Sequence, residues 1–125
     1  MPIHIELINS QTVLQTYSDP LDSAQMNALR GKMEQEILPA AAGKLHIIAD
    51  FRTVRNLPEM ILTNGSVMLR TAHPNTGNII CVTTSAFIQT MARVLNAITY
   101  TRPLKTAASM EEAYAQLDVL LAKSH

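Results

Sequence analysis

Residues 47–62 read IIADFRTVRNLPEMIL, and their order sets the fold class. The stretch begins inside KLHIIADF, residues 44–51, an apolar run between breakers that is too short for a helix. Such a run reads as a buried strand. Asp50 stands at its end, and a loop with Arg52 and Arg55 follows. Asn56 then offers a helix cap, and Pro58 takes a first helical position, where its missing N–H costs nothing. Glu59 falls three residues after Asn56 and completes an asparagine-led capping box.

The same alternation of strand and helix signals extends outward. Upstream, residues 3–8 (IHIELI) alternate apolar and polar, as a half-exposed strand does. Turn-forming NSQT separates them from VLQTYS, residues 13–18, a second short strand expected to pair antiparallel with the first. Asp22 or Ser23 can cap a helix whose inner face carries Met26, Leu29, Met33 and Ile37, with Pro39 and Gly43 ending it. Downstream of the opening stretch, Ile61, Met68, Leu69 and Ala72 supply an inner helical face, and residues 73–77 (HPNTG) read as a stop and turn.

NIICVTT, residues 78–84, is another buried strand. Thr84 or Ser85 caps a helix with Phe87, Ile88, Met91, Val94, Leu95 and Ile98 on one stripe. TYTRPLKTA, interrupted by Pro103, reads as a short edge strand. Ser109 and Glu112 form a capping box for a last helix that carries Met110, Ala113, Tyr114, Leu117, Leu120 and Leu121. The order β-β-α-β-α-β-α-β-α implies an α/β domain over residues 1–125 with a mostly parallel five-stranded sheet and right-handed crossovers. Sequential strand order places the helices on one face. The apolar runs around residues 45–51 and 78–84 then need cover for the other face, and homodimerisation is the expectation.

Composition removes several function classes. The chain has 125 residues, 47% hydrophobic, with ten basic and ten acidic side chains. That balance, with two Phe, three Tyr and no Trp, does not suit nucleic acid or a polybasic membrane contact. No apolar run approaches ~18 residues and no leader pattern opens the chain, so a cytoplasmic protein without integral membrane association is expected.

The spacing in residues 47–62 resembles that of the STAS family, the anti-sigma-factor antagonists and their relatives. In that family a strand ends in Asp, a loop hydrophobe follows, and Asp-Ser-Ser-Gly-Leu starts a helix. Asp50, Val54, Leu57 and Leu62 match those positions, and LKTAASMEEAYAQL resembles the family's last strand, cap and helix. Pro58, Glu59, Met60 and Ile61 stand where the family has Asp-Ser-Ser-Gly, so the phosphorylatable serine falls on Met60. The resemblance therefore implies a non-enzymatic regulatory module that docks a protein partner without a phosphoserine switch. Glu59 offers one fixed charge there, against about two for a phosphate. Kinship of this core with the Sec14-like lipid-binding fold implies the alternative, a small-molecule or lipid carrier. Seven methionines can line an adaptable pocket or simply fill the core.

Candidate chemistry is sparse. Asp50 reads as a strand-end acceptor of N–H groups rather than a base or metal ligand, because no partner at ligand spacing accompanies it. His4, His46, His73 and His125 form no HxH or HxxxH pair, and His46 shares a sheet face with Ile48 and Asp50. No GxSxG elbow surrounds Ser66 or Ser85, and Cys81 reads as a small buried hydrophobe. No glycine-rich nucleotide loop is present; Gly31 and Gly65 lie within helical patterns, where they can permit close packing. No metal and no cofactor are expected. The remaining candidate surface is at the carboxyl ends of the strands, where Asp50, Arg52, Arg55, Glu59, Thr84 and Ser85 could meet an anion or an acidic partner.

Overall fold

The computed structural model describes residues 3–57, 61–70, 73–99 and 104–123. Its five strands are β1 (Ile3–Asn9), β2 (Thr12–Ser18), β3 (Leu45–Thr53), β4 (Thr76–Val82) and β5 (Leu104–Ala107). They form one mixed sheet, side by side in chain order. β1 and β2 make an antiparallel hairpin, with Ile3 opposite Tyr17. The other three pairings are parallel. The helices are α1 (Ser23–Lys32), α2 (Leu38–Ala40), α3 (Ile61–Arg70), α4 (Ala86–Thr99) and α5 (Met110–Lys123). A single π turn, Met33–Ile37, joins α1 to α2.

Local chemistry explains the element ends. Asp22 accepts from the backbone of Gln25 while the Gln25 side chain accepts from the backbone of Asp22, a reciprocal box that opens α1. Ser85 Oγ accepts from Ile88 N at the start of α4. Ser109 Oγ accepts from Glu112 N, and Glu112 reaches back to Ala108 N. The strand expected over residues 78–84 starts and ends two residues earlier. Thr76 and Gly77, read as turn, belong to β4, and Thr76 pairs with Leu45. Thr83 has left the strand: its Oγ1 accepts from Ser85 N to shape the approach to α4. Pro58, Glu59, Met60, Ala72, Pro103 and His125 lie outside the described residues.

The helices do not all lie on one face. α1, α3 and α4 cover the side that presents Val13, Tyr17, Leu45, Ile47, Ala49, Ile79 and Cys81. The opposite side presents Ile48, Ile80, Val82 and Ala107, and α5 buries them with Ala113 and Leu117. The three crossovers keep one hand and so one face, but a helix that follows the last strand has no strand to return to and is free to fold beneath. The apolar face that motivated self-association is thus covered by the chain itself.

α4 differs from its expected stripe. Ile88 and Ala92 are buried and Leu95 half-buried, whereas Phe87, Val94 and Ile98 are exposed. Its apolar residues span more than one face, and the sheet takes only one of them.

Candidate functional site

The strand-end residues resolve into separate structural tasks. Asp50, the sixth residue of β3, is buried, and its carboxylate accepts three hydrogen bonds from Arg52. These come from the backbone N–H (3.0 Å), Nε (3.0 Å) and a terminal guanidinium nitrogen (2.9 Å). Burial pushes the Asp50 carboxyl up, but those bonds and the adjacent positive charge bring it below the usual carboxylate range. The pair is a fork closed on itself, with the Arg52 side chain still half exposed.

Arg55 is held by another group: its backbone N–H donates to Asp19 Oδ2 at 2.9 Å. Thr84 is exposed, and Ser85 is committed to its cap. The structure therefore brings Asp50 and Arg52 together and gives Arg55, Thr84 and Ser85 other surroundings, while Glu59 lies outside the described residues. Among the described residues no group of three His, Cys, Asp or Glu is placed to hold a metal ion.

His46 lies on the α5 side of the sheet, next to the β4 bulge. Its Nδ1 accepts from Asn78 N at 3.1 Å, which fixes the neutral ring with its proton on Nε2. Burial, then the nearby Lys44 charge, holds its pKa below the ordinary value.

The arrangement with chemical capacity lies on the other face. A cavity of about 150 Å³ sits between the sheet and helices α1, α3 and α4. Its cause is visible in the side chains. Ala49 and Cys81, register neighbours on β3 and β4, leave the floor low, and Ala92 on α4 leaves the roof high, while the space beside Gly65 is taken by Leu95. Larger residues (Leu29, Met33, Ile47, Leu69, Ile79 and Leu95) stand around this gap. α5 comes close to β3, β4 and β5 on the opposite face, while α1 and α3 show no comparable backbone approach to the sheet among the described residues. Met26, Met33 and Met91 contribute adaptable thioethers, and Met33 opens the π turn that widens the helix there.

Polar groups on this wall are few. Tyr17 O–H donates to Gln15 Oε1 at 2.6 Å, with both side chains buried and the Tyr17 ring stacked on Phe51 at 4.3 Å. Burial raises the Tyr17 phenol far above its ordinary pKa, and it pushes the Cys81 thiol up to about 12. Thr76 lines the cavity, and its own hydroxyl is buried with no hydrogen-bond partner among the described residues. Residue patterning had not pointed to Gln15, Tyr17 or Thr76. The available signal was Gln15 and Tyr17 sharing a strand face with buried Val13. A wider hollow of about 440 Å³ between β5 and α5 is a shallow surface feature walled by five residues.

Comparison with known proteins finds no family model, no curated protein and no solved structure that matches the chain.

Proposed function

We propose that this protein is a non-enzymatic module that binds a small, largely apolar molecule between its sheet and the α1–α3–α4 layer. The observation that carries the reading is the cavity of about 150 Å³ framed by small residues on both walls. An apolar void of that size is large enough to take one molecule as big as benzene. The methionines in its wall let it adjust to shape. In this reading Asp50, Arg52 and Ser85 stabilise the chain rather than perform chemistry, and no cofactor takes part.

The test is ligand-linked stability. A panel of small aromatic and aliphatic compounds is expected to raise the melting temperature, because a ligand that binds only the folded state stabilises it by mass action. Ala49→Leu fills the void and is expected to abolish the shift while preserving a cooperative transition. No shift with any compound up to its solubility would overturn the reading.

A second reading is supported by the STAS-like spacing of residues 47–62 and by the exposed Phe87, Val94 and Ile98 on α4. There the protein is a cytoplasmic regulatory module that docks a protein partner without phosphorylation. Native mass spectrometry of gently prepared host extract tests it, and recovery of free protein alone would count against it. Light scattering settles self-association separately.

A further inference from the structure

We propose that the free edge of β1 docks a second copy of this chain, strand against antiparallel strand, about a two-fold axis at Ile5. The proposal is independent of the cavity. It uses the edge of the sheet, not the face that α5 covers.

The two edge strands are finished differently. His46 N donates to Gln11 O, so Val13, Gln15 and Tyr17 direct their backbone groups at β3. Leu14 and Thr16 then face β1, where they pair with Glu6 and His4. Direction alternates along a strand, so the N–H and C=O groups of Ile3, Ile5 and Leu7 point away from the sheet. On β5 the outward groups belong to Leu104 and Thr106, because Ala107 O faces inward to accept from Thr83 N. Asn96 holds both groups of Leu104, and Gln116 holds the carbonyl of Thr106. No described side chain does this for Ile3, Ile5 or Leu7, and no described element other than β2 lies close along β1. Residues 3–7 also contain no proline and no lysine, which commonly guard an edge. The bulge between Leu7 and Asn9 falls at the end of this segment.

The side chains then choose the occupant and the register. A second copy using the same outward groups must set odd-numbered residues against odd-numbered residues. Centring the pair on His4 puts imidazole against imidazole, and centring it on Glu6 puts carboxylate against carboxylate, an unfavourable cross-strand pair. Centring it on Ile5 puts His4 of each copy, an N–H donor, opposite the Glu6 carboxylate of the other. Both side chains are exposed and lie on one side of the sheet. The same register sets Ile3 opposite Leu7 twice and covers Leu7, which is 61% exposed. The segment Ile-His-Ile-Glu-Leu is thus complementary to itself when reversed, as a two-fold interface requires. The held edge at β5 stops further strand addition, so assembly ends at two copies.

A contact made by one short strand falls at the small end of interface sizes, so association is expected to depend on concentration. Sedimentation equilibrium of the full chain up to about 1 mM, where weak affinities register, is expected to show a monomer passing into a dimer. His4→Glu gives each strand two acids, and Glu6→Lys gives each strand two N–H donors. Each variant alone is expected to dimerise about tenfold more weakly, because two favourable cross-strand pairs become unfavourable. Mixing the two variants restores both pairs and is expected to recover the dimer. In the unaltered protein, amide exchange at Ile3, Ile5 and Leu7 is expected to slow as concentration rises, more than at His4 and Glu6, which already face β2. A monomer throughout the range overturns the proposal. So does a dimer in which exchange at Ile3, Ile5 and Leu7 is unchanged, since its interface lies elsewhere. Single variants that dimerise as tightly as the unaltered protein overturn the register and the proposal with it. Should a variant not fold, the exchange measurement decides the matter with the unaltered protein alone.

Discussion

At the scale of single residues, the densest constraint is the meeting of Gly77, His46 and Leu45. A Cβ on Gly77 would fall 2.8 Å from His46 Nδ1 and 2.9 Å from the Leu45 carbonyl oxygen. Neither neighbour can retreat cheaply, because Leu45 is in the sheet and His46 is held by Asn78. Gly77→Ala is expected to destabilise the protein by about 1–3 kcal/mol, read as a lower urea midpoint. His46 adds a pH dependence. Its folded pKa is lowered, so protons bind the unfolded chain more readily. Its contribution to stability is complete above the unfolded value of about 6.5 and is lost as pH falls from there towards the folded value. The urea midpoint should therefore drop between pH 7.5 and 5.5, and His46→Gln should flatten that drop. Asp50, whose pKa is lowered from 3.8, yields its share only in more acid solution, so the two effects separate. The sequence placed His46 correctly on the face of Ile48 and Asp50, but the need for glycine at 77 was hidden. The glycine there looked like turn chemistry, and only the pairing of two distant strands reveals it as room for an imidazole.

At the scale of elements, β5 shows how a short edge strand is held. Asn96 on α4 donates to Leu104 O at 2.9 Å and accepts from Leu104 N at 2.7 Å, and Gln116 on α5 donates to Thr106 O at 2.9 Å. Side chains from both neighbouring helices thus occupy backbone groups that an edge would otherwise offer to another chain. Asn96→Ala is expected to cost about 1–3 kcal/mol, because partly buried backbone groups lose both partners. Hydrogen exchange should show the loss concentrated at β5. On α1, by contrast, a Cβ at Gly31 meets nothing within 4 Å, so this glycine permits no close packing. Gly31→Ala is expected to stabilise by about 0.5–1 kcal/mol through helix propensity, seen as a higher melting temperature. Most elements were legible because caps and apolar spacing are local signals. α4 was misjudged because Phe87, Val94 and Ile98 satisfy helical spacing as well as Ile88 and Ala92 do. Periodicity identifies a helix but not which of two apolar faces the sheet will accept.

At the scale of the whole molecule, the two faces of the sheet are finished differently. α5 seals one with small residues, Ala107 against Ala113, flanked by Ile48, Ile80 and Leu117. A chain ending at Ser109 would leave Ile48, Ile80 and Val82 uncovered, and size-exclusion chromatography of it is expected to show self-association or aggregation. The other face is covered by α1, α3 and α4, of which only α4 comes close to the sheet backbone among the described residues, and it keeps its cavity. This asymmetry was not readable in advance, since Ala49 and Cys81 each look ordinary in their own strands and the gap arises only when they become neighbours. Cys81 is the chain's sole cysteine, and burial leaves its thiol fully protonated at neutral pH. A neutral thiol reagent can reach it only when the helical roof lifts, so its labelling rate is a clock for that opening. The protein carries its own gauge of how often the interior breathes, and an occupant of the cavity, lying over Cys81, should slow the clock.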